Sequence, residues 1–142
     1  MAPSFKSNCP GLDPQSKLTI VLIDHEDDFR HALAEHLRDD GFGVVEYADA
    51  SDLDESTAPL ERAAALVHDV TESEDGLGFA GRVHAQYPTL PIVVMTAYPT
   101  PQLEARIAAT EYVALFRKPL SYGDLYGWLQ PRLQHAKPSV RV

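Results

Sequence analysis

Apolar positions along this chain follow two rhythms. Short continuous runs at 18–23 (LTIVLI), 63–67 (AAALV), 91–96 (PIVVMT) and 113–116 (VALF) are too brief for free-standing helices. They are rich enough in β-branched residues for strands covered on both faces. VVEY at 44–47 is a further strand, and the run from 63 continues to a strand end at Asp69. Between the strands the spacing becomes helical. Phe29, Leu33 and Leu37 recur at every fourth position after the acids Asp27 and Asp28, which suit a helix start. Gly41 supplies the stop. Leu77, Ala80, Val83 and His84 predict another helix, ended before Pro88. Thr100 and Pro101 open the next with a capping hydroxyl and a proline in the first turn, and Leu103 and Ile107 point inward from it. Ser121 and Asp124 resemble a capping box ahead of Leu125, Trp128 and Leu129, and Pro131 is expected to end or kink that helix. Residues 50–60, rich in Asp, Ser and Thr and broken by Pro59, predict only a weak helix. Five strands alternating with five helical patterns imply βαβ units and a parallel sheet, an α/β fold.

Composition narrows the picture. The chain of 142 residues has room for one domain, predicted at 18–134, with a flexible arm at 1–17 and a tail at 135–142. A net charge of −9 argues against direct nucleic-acid binding, which needs a basic footprint. The single cysteine, Cys9, excludes an internal disulfide and a cysteine-built zinc cluster. Neither a signal peptide nor a membrane span is readable, so a cytoplasmic protein is expected.

Four strands end in a polar group: Asp24, Asp69, Thr96 and Lys118. Open α/β sheets place their chemistry at this carboxyl edge. Asp69 leads into an acid-rich loop, TESEDG. Its neighbour His68 points to the opposite face of the sheet and reads as a core histidine. No glycine-rich phosphate loop follows the first strand, which disfavours an unrelated flavodoxin-like enzyme.

VLIDHEDDFR, LVHDV, IVVMTAY and FRKPL, in this order and at this spacing, resemble the receiver domain of two-component response regulators. The resemblance spans the chain apart from its tails. It implies a doubly wound, flavodoxin-like five-stranded parallel sheet of order 2-1-3-4-5 with five helices, and a cis bond before Pro119. It also implies that Asp69 accepts a phosphoryl group from a histidine kinase or phosphotransfer protein, with Mg²⁺ held by Asp24, Asp69 and the backbone carbonyl of Thr71. Lys118 would pair with the carboxylate and then the phosphoryl oxygens, and Thr96 would donate its hydroxyl. Such a domain is not an enzyme beyond its self-catalysed phosphoryl transfer. It signals through a downstream protein partner or self-association, with a surface here expected to include Leu103, Arg106, Arg117, Tyr122 and Tyr126.

Three departures stand beside the resemblance. His25 occupies the place of the family's second acid, so weaker Mg²⁺ binding is expected, since Mg²⁺ takes imidazole poorly. Glu26 is a candidate to reach inward instead. Glu72, Glu74 and Asp75 crowd a loop that is short for the family and lacks its usual proline. Leu115 stands where the family has a switch aromatic, so coupling is expected either to use another group such as Tyr98 or to be weak. The expectation is a stand-alone receiver domain in phosphorelay signalling; the alternative is a phosphorylation-independent pseudo-receiver acting as an interaction module.

Overall fold

The computed structural model describes residues 18–53, 58–70, 75–108 and 111–133. The predicted arm and tail and residues 71–74 of the acid-rich loop, Thr71 among them, lie outside them. Strands β1 (Thr19–Ile23), β2 (Gly43–Tyr47), β3 (Ala63–Asp69), β4 (Ile92–Thr96) and β5 (Val113–Arg117) form one parallel sheet of order β2-β1-β3-β4-β5. The helices are α1 (Asp27–Asp39), α2 (Ala58–Glu61), α3 (Asp75–Gln86), α4 (Pro101–Ala108) and α5 (Tyr122–Leu133). Parallel strands need crossovers, and helices on both faces explain why the strand sequences are almost unbroken apolar runs.

Side-chain alternation divides the core into two layers. Ile20, Leu22, Ala65, Val67, Val93 and Met95 pack with Leu33 and Leu37 of α1 and Leu125 and Leu129 of α5. Val21, Ile23, Leu66, Ile92 and Val94 pack on the other face with Leu60, Phe79, Val83, Leu103 and Ile107. Each fully buried Leu or Ile contributes about 2 kcal/mol by leaving water, so these layers hold the strand ends in place.

The helix punctuation follows the sequence closely. Gly41 takes φ +97°, and the N–H of Phe42 returns to the Leu37 carbonyl, closing α1. Thr100 Oγ1 accepts the Leu103 N–H at 3.1 Å, and Ser121 Oγ accepts the Asp124 N–H at 3.4 Å. The Lys118–Pro119 bond is cis.

Three expectations are corrected. Where a weak helix was expected at 50–60, the described residues form a 3₁₀ turn, Ala50–Leu53, and the single α-turn of α2, and among those whose side chains are described Leu53 and Leu60 are buried to anchor it. Of the two outcomes expected at Pro131, an end or a kink, the end is excluded, because Pro131 sits inside α5. The proline is exposed, while Leu129 and Leu133 on the buried face carry the helix past it. Leu103, expected on a partner surface, is buried in the core beneath α4. Among the described residues, no helix is long and apolar enough to cross a membrane.

Candidate functional site

Strand register brings the candidate residues together. Ile23 of β1 is level with His68 of β3, so Asp24 and Asp69, the next residues, emerge side by side. Thr96 of β4 is level with Arg117 of β5, which places Lys118 one step beyond. The Lys118 N–H donates to the Thr96 carbonyl at 2.8 Å. The site thus straddles the β1/β3 boundary, where the strand order reverses and open α/β sheets leave a crevice.

Asp24 is fully buried, and its Oδ2 lies 2.8 Å from Lys118 Nζ. Its Oδ1 accepts the Glu26 N–H at 2.8 Å. Burial pushes the Asp24 carboxyl above its ordinary pKa, against the downward pull of Lys118 and the Glu26 N–H. Lys118 also reaches Glu26 Oε1 at 2.9 Å and Asp69 Oδ2 at 3.9 Å, and lies 4.6 Å from the centre of the Phe29 ring. Burial opposes its charge, yet the hydrogen bonds to Asp24 and Glu26 hold the ammonium above its usual pKa. Glu26 is in turn held below its usual value by the hydrogen bond from Lys118. Two charges 2.8 Å apart attract with about 6 kcal/mol at an effective dielectric of 20, against about 4 at 3.9 Å. Lys118 is therefore committed first to Asp24 and Glu26 and only second to Asp69.

His25 is the unforeseen contact. Its side chain is 58% exposed, yet Nδ1 bonds Asp69 Oδ2, and its backbone N–H donates to the same oxygen at 3.3 Å. Its place in the sequence showed only that it stands where the family has a second acid. Only the register of β1 and β3 sets it over Asp69.

Arg30 was missed altogether. It is buried, and its Nη1 donates to the Asp24 carbonyl at 2.7 Å and meets Asp27 Oδ1 at 2.9 Å. Its Nε meets Glu46 Oε1 at 3.2 Å. His31 and Arg38 converge on the same Glu46 carboxylate at 2.8 and 3.1 Å. Burial opposes the Glu46 charge, but these three donors hold its pKa below the ordinary value. Arg30 thus ties the carbonyl after β1 to β2 through Glu46. An acid in β2, facing two arginines and a histidine spaced along α1, was the available signal.

The remaining candidates are placed as follows. Thr96 is buried, and its Oγ1 accepts the Tyr98 N–H at 3.1 Å. Tyr98 itself is 68% exposed, and Leu115 is half-buried against the α3/α4 layer. His68 is buried as expected, donating Nδ1–H to the Asp69 carbonyl at 3.0 Å and meeting the Phe79 ring edge to face. Arg106 and Arg117 are exposed. Tyr122 and Tyr126 turn toward α1 rather than α4. Tyr122 stacks on His36 and donates to Asp40 Oδ2 at 2.7 Å, and Tyr126 packs on Phe42 and Tyr122. The expected partner surface is therefore split, with its arginines exposed and its tyrosines half-buried against α1 and Phe42.

Asp24, His25 and Asp69 each offer one atom to a common cation, these atoms lying within 4.8 Å of one another. The set does not fit Mg²⁺ well. Mg²⁺ demands oxygen donors in near-ideal octahedral geometry. Here one of the three donors is an imidazole nitrogen, and Lys118 already holds the other Asp24 oxygen.

No family model and no curated protein matches the chain. Solved structures do. A response regulator receiver protein from Pseudoalteromonas atlantica superposes with a TM-score of 0.73 at 20% identity, covering 84% of this chain and 99% of the other. The receiver domain of the hybrid histidine kinase CckA gives 0.64 at 23% identity, covering 82% and 99%. A protein described as an atypical orphan response regulator with a phosphorylation-independent regulatory mechanism gives 0.67 at 16% identity, covering 85% and 99%. The chain has the fold of response-regulator receiver domains, doubly wound with strand order 2-1-3-4-5.

Proposed function

We propose that this chain is a receiver module of two-component signalling whose Asp69 accepts a phosphoryl group from a histidine kinase or a phosphotransfer protein. One observation carries the proposal: Asp69 ends the central strand β3 beside a buried second carboxylate, Asp24, with the Lys118 ammonium 3.9 Å from Asp69 Oδ2. A carboxylate nucleophile with a cation at hand matches what phosphoryl transfer requires. An Asp69 oxygen forms the new O–P bond as the donor's P–N bond breaks, and the donor imidazole leaves with the electron pair and takes up a proton. Lys118 would shift from Asp24 and Glu26 onto the phosphoryl oxygens, and the Thr96 hydroxyl would exchange the Tyr98 N–H for the same group. Thr71 would add its backbone carbonyl to the site. No turnover of a separate substrate is implied, and the cytoplasm is the fitting compartment. Output would pass to a protein partner or a second copy through the edge of α4 and β5, where Arg106, Arg117 and Tyr98 are exposed.

The test is incubation with acetyl phosphate and a divalent cation, read by intact mass. The native chain is expected to gain one phosphoryl group and Asp69→Asn none. A phosphorylated Asp69→Asn protein would sink the assignment.

A second reading is favoured by a specific contact. With His25 bonded to Asp69 and Lys118 drawn to Asp24 and Glu26, the carboxylate is internally satisfied without a phosphoryl group. A phosphorylation-independent interaction module needs nothing more. Failure of both the native chain and His25→Asp to gain mass would select it.

A further inference from the structure

Asp24, His25 and Asp69 form a mixed carboxylate–imidazole set, and its chemistry points away from a magnesium site. We propose that the cleft between β1 and β3 is a binding site for a first-row divalent cation that accepts imidazole, of the Zn²⁺ or Co²⁺ kind, with His25 Nδ1 as a ligand beside Asp24 Oδ1 and Asp69 Oδ2.

The distances permit it. Two donors bound to one such ion at about 2.0–2.2 Å stand at most about 4.4 Å apart. His25 Nδ1 lies 4.0 Å from Asp24 Oδ1, and it bonds Asp69 Oδ2 directly, a contact that an entering ion replaces. All three atoms lie within 4.8 Å of one another, so small side-chain adjustments bring them around a single centre. Lys118 holds Asp24 Oδ2, which leaves Oδ1 on the side facing His25.

The backbone supports the same arrangement. Asp24 is fixed by burial and by the Glu26 N–H, and Arg30 grips its carbonyl. Asp69 is fixed as the last residue of a central strand. The His25 ring is exposed, so solvent can complete the coordination and the ion has an entry path. Imidazole suits Zn²⁺ and Co²⁺, whereas Mg²⁺ prefers an all-oxygen shell. The residue that weakens the site for Mg²⁺ is thus the one that strengthens it for these ions.

The inference concerns the same cleft as the phosphoacceptor reading but rests on the donor set alone. It is tested without any phosphodonor, so failure of either leaves the other standing. Zn²⁺ and Mg²⁺ are titrated calorimetrically into the full chain, His25→Ala and His25→Asp, each checked for folding by circular dichroism. Loss of an outer partner of a metal ligand costs about 10–100-fold in affinity, so loss of a ligand costs at least about tenfold. The tightest Zn²⁺ site is expected to weaken at least about tenfold in His25→Ala, while Mg²⁺ binding strengthens in His25→Asp. Co²⁺ added to the native chain is expected to shift the His25 ring protons in the proton NMR spectrum ahead of those of His31 and His36. Zn²⁺ affinity unchanged by His25→Ala overturns the proposal. So does Mg²⁺ affinity that is equal in the native chain and His25→Asp, or Co²⁺ that shifts another histidine first.

Discussion

His68 offers a test of the core next to the site. The ring is 1% exposed, and Nδ1 donates to the Asp69 carbonyl. Among the described residues, Nε2 has no hydrogen-bond partner. A second proton would have to sit on Nε2, in apolar surroundings beside the edge-on Phe79 ring. Burial therefore pushes the His68 pKa down from 6.5 to about 4, outweighing the upward pull of the Asp69 carbonyl and charge. The unfolded chain takes this proton near its ordinary value, and the folded chain refuses it until about pH 4. The stabilisation is complete above the ordinary value and is lost as pH falls between the two, becoming constant below the lower one. At about 1.4 kcal/mol per pH unit, the window contributes about 3 kcal/mol. That is a large share of the roughly 5–15 kcal/mol by which a domain of this size is stable. Urea denaturation of the native chain and His68→Leu, in chelator from pH 4 to 7.5, measures it. Other titrating groups, including Asp24 with its raised pKa, act in both proteins and cancel in the difference. The native chain is expected to lose about 3 kcal/mol relative to His68→Leu across the window. Parallel stability curves for the two proteins would refute the reasoning.

Two further perturbations probe the frame around the site. Arg30→Met keeps the apolar stem but leaves the Asp24 carbonyl and part of the Glu46 carboxylate without their donor. A loss of about 2–4 kcal/mol in urea denaturation is expected, and a loss under about 0.5 would show that water replaces the guanidinium freely. Tyr126→Ala strips packing from Phe42 and Tyr122, so it is expected to cost about 2 kcal/mol of stability. An unchanged thermal midpoint would return Tyr126 to the partner surface.

How much could be read from the residues differs between the frame and the site. The strands were legible because parallel sheets covered on both faces require nearly unbroken apolar runs, and these runs stand out from the helical spacing between them. Caps were legible at Thr100 and Gly41 because one hydroxyl or one left-handed residue suffices. The region at 50–60 was not, since two buried leucines separated by polar residues specify no length of helix. Tyr122 and Tyr126 were expected on a partner surface, and their packing toward α1 was not legible, because helix periodicity gives a face without naming what covers it.

The sequence by itself determined the alternation of strands and helices and the four polar strand ends, Asp24, Asp69, Thr96 and Lys118. Local chemistry and periodicity are enough for these. Tertiary structure decided which charges pair. Lys118 meets Asp24 and Glu26 before Asp69, His25 folds onto Asp69, and buried Arg30 joins the end of β1 to Glu46 in β2. Most of these contacts join residues far apart in the chain, and ion pairing and metal coordination depend on ångström distances that only strand register sets.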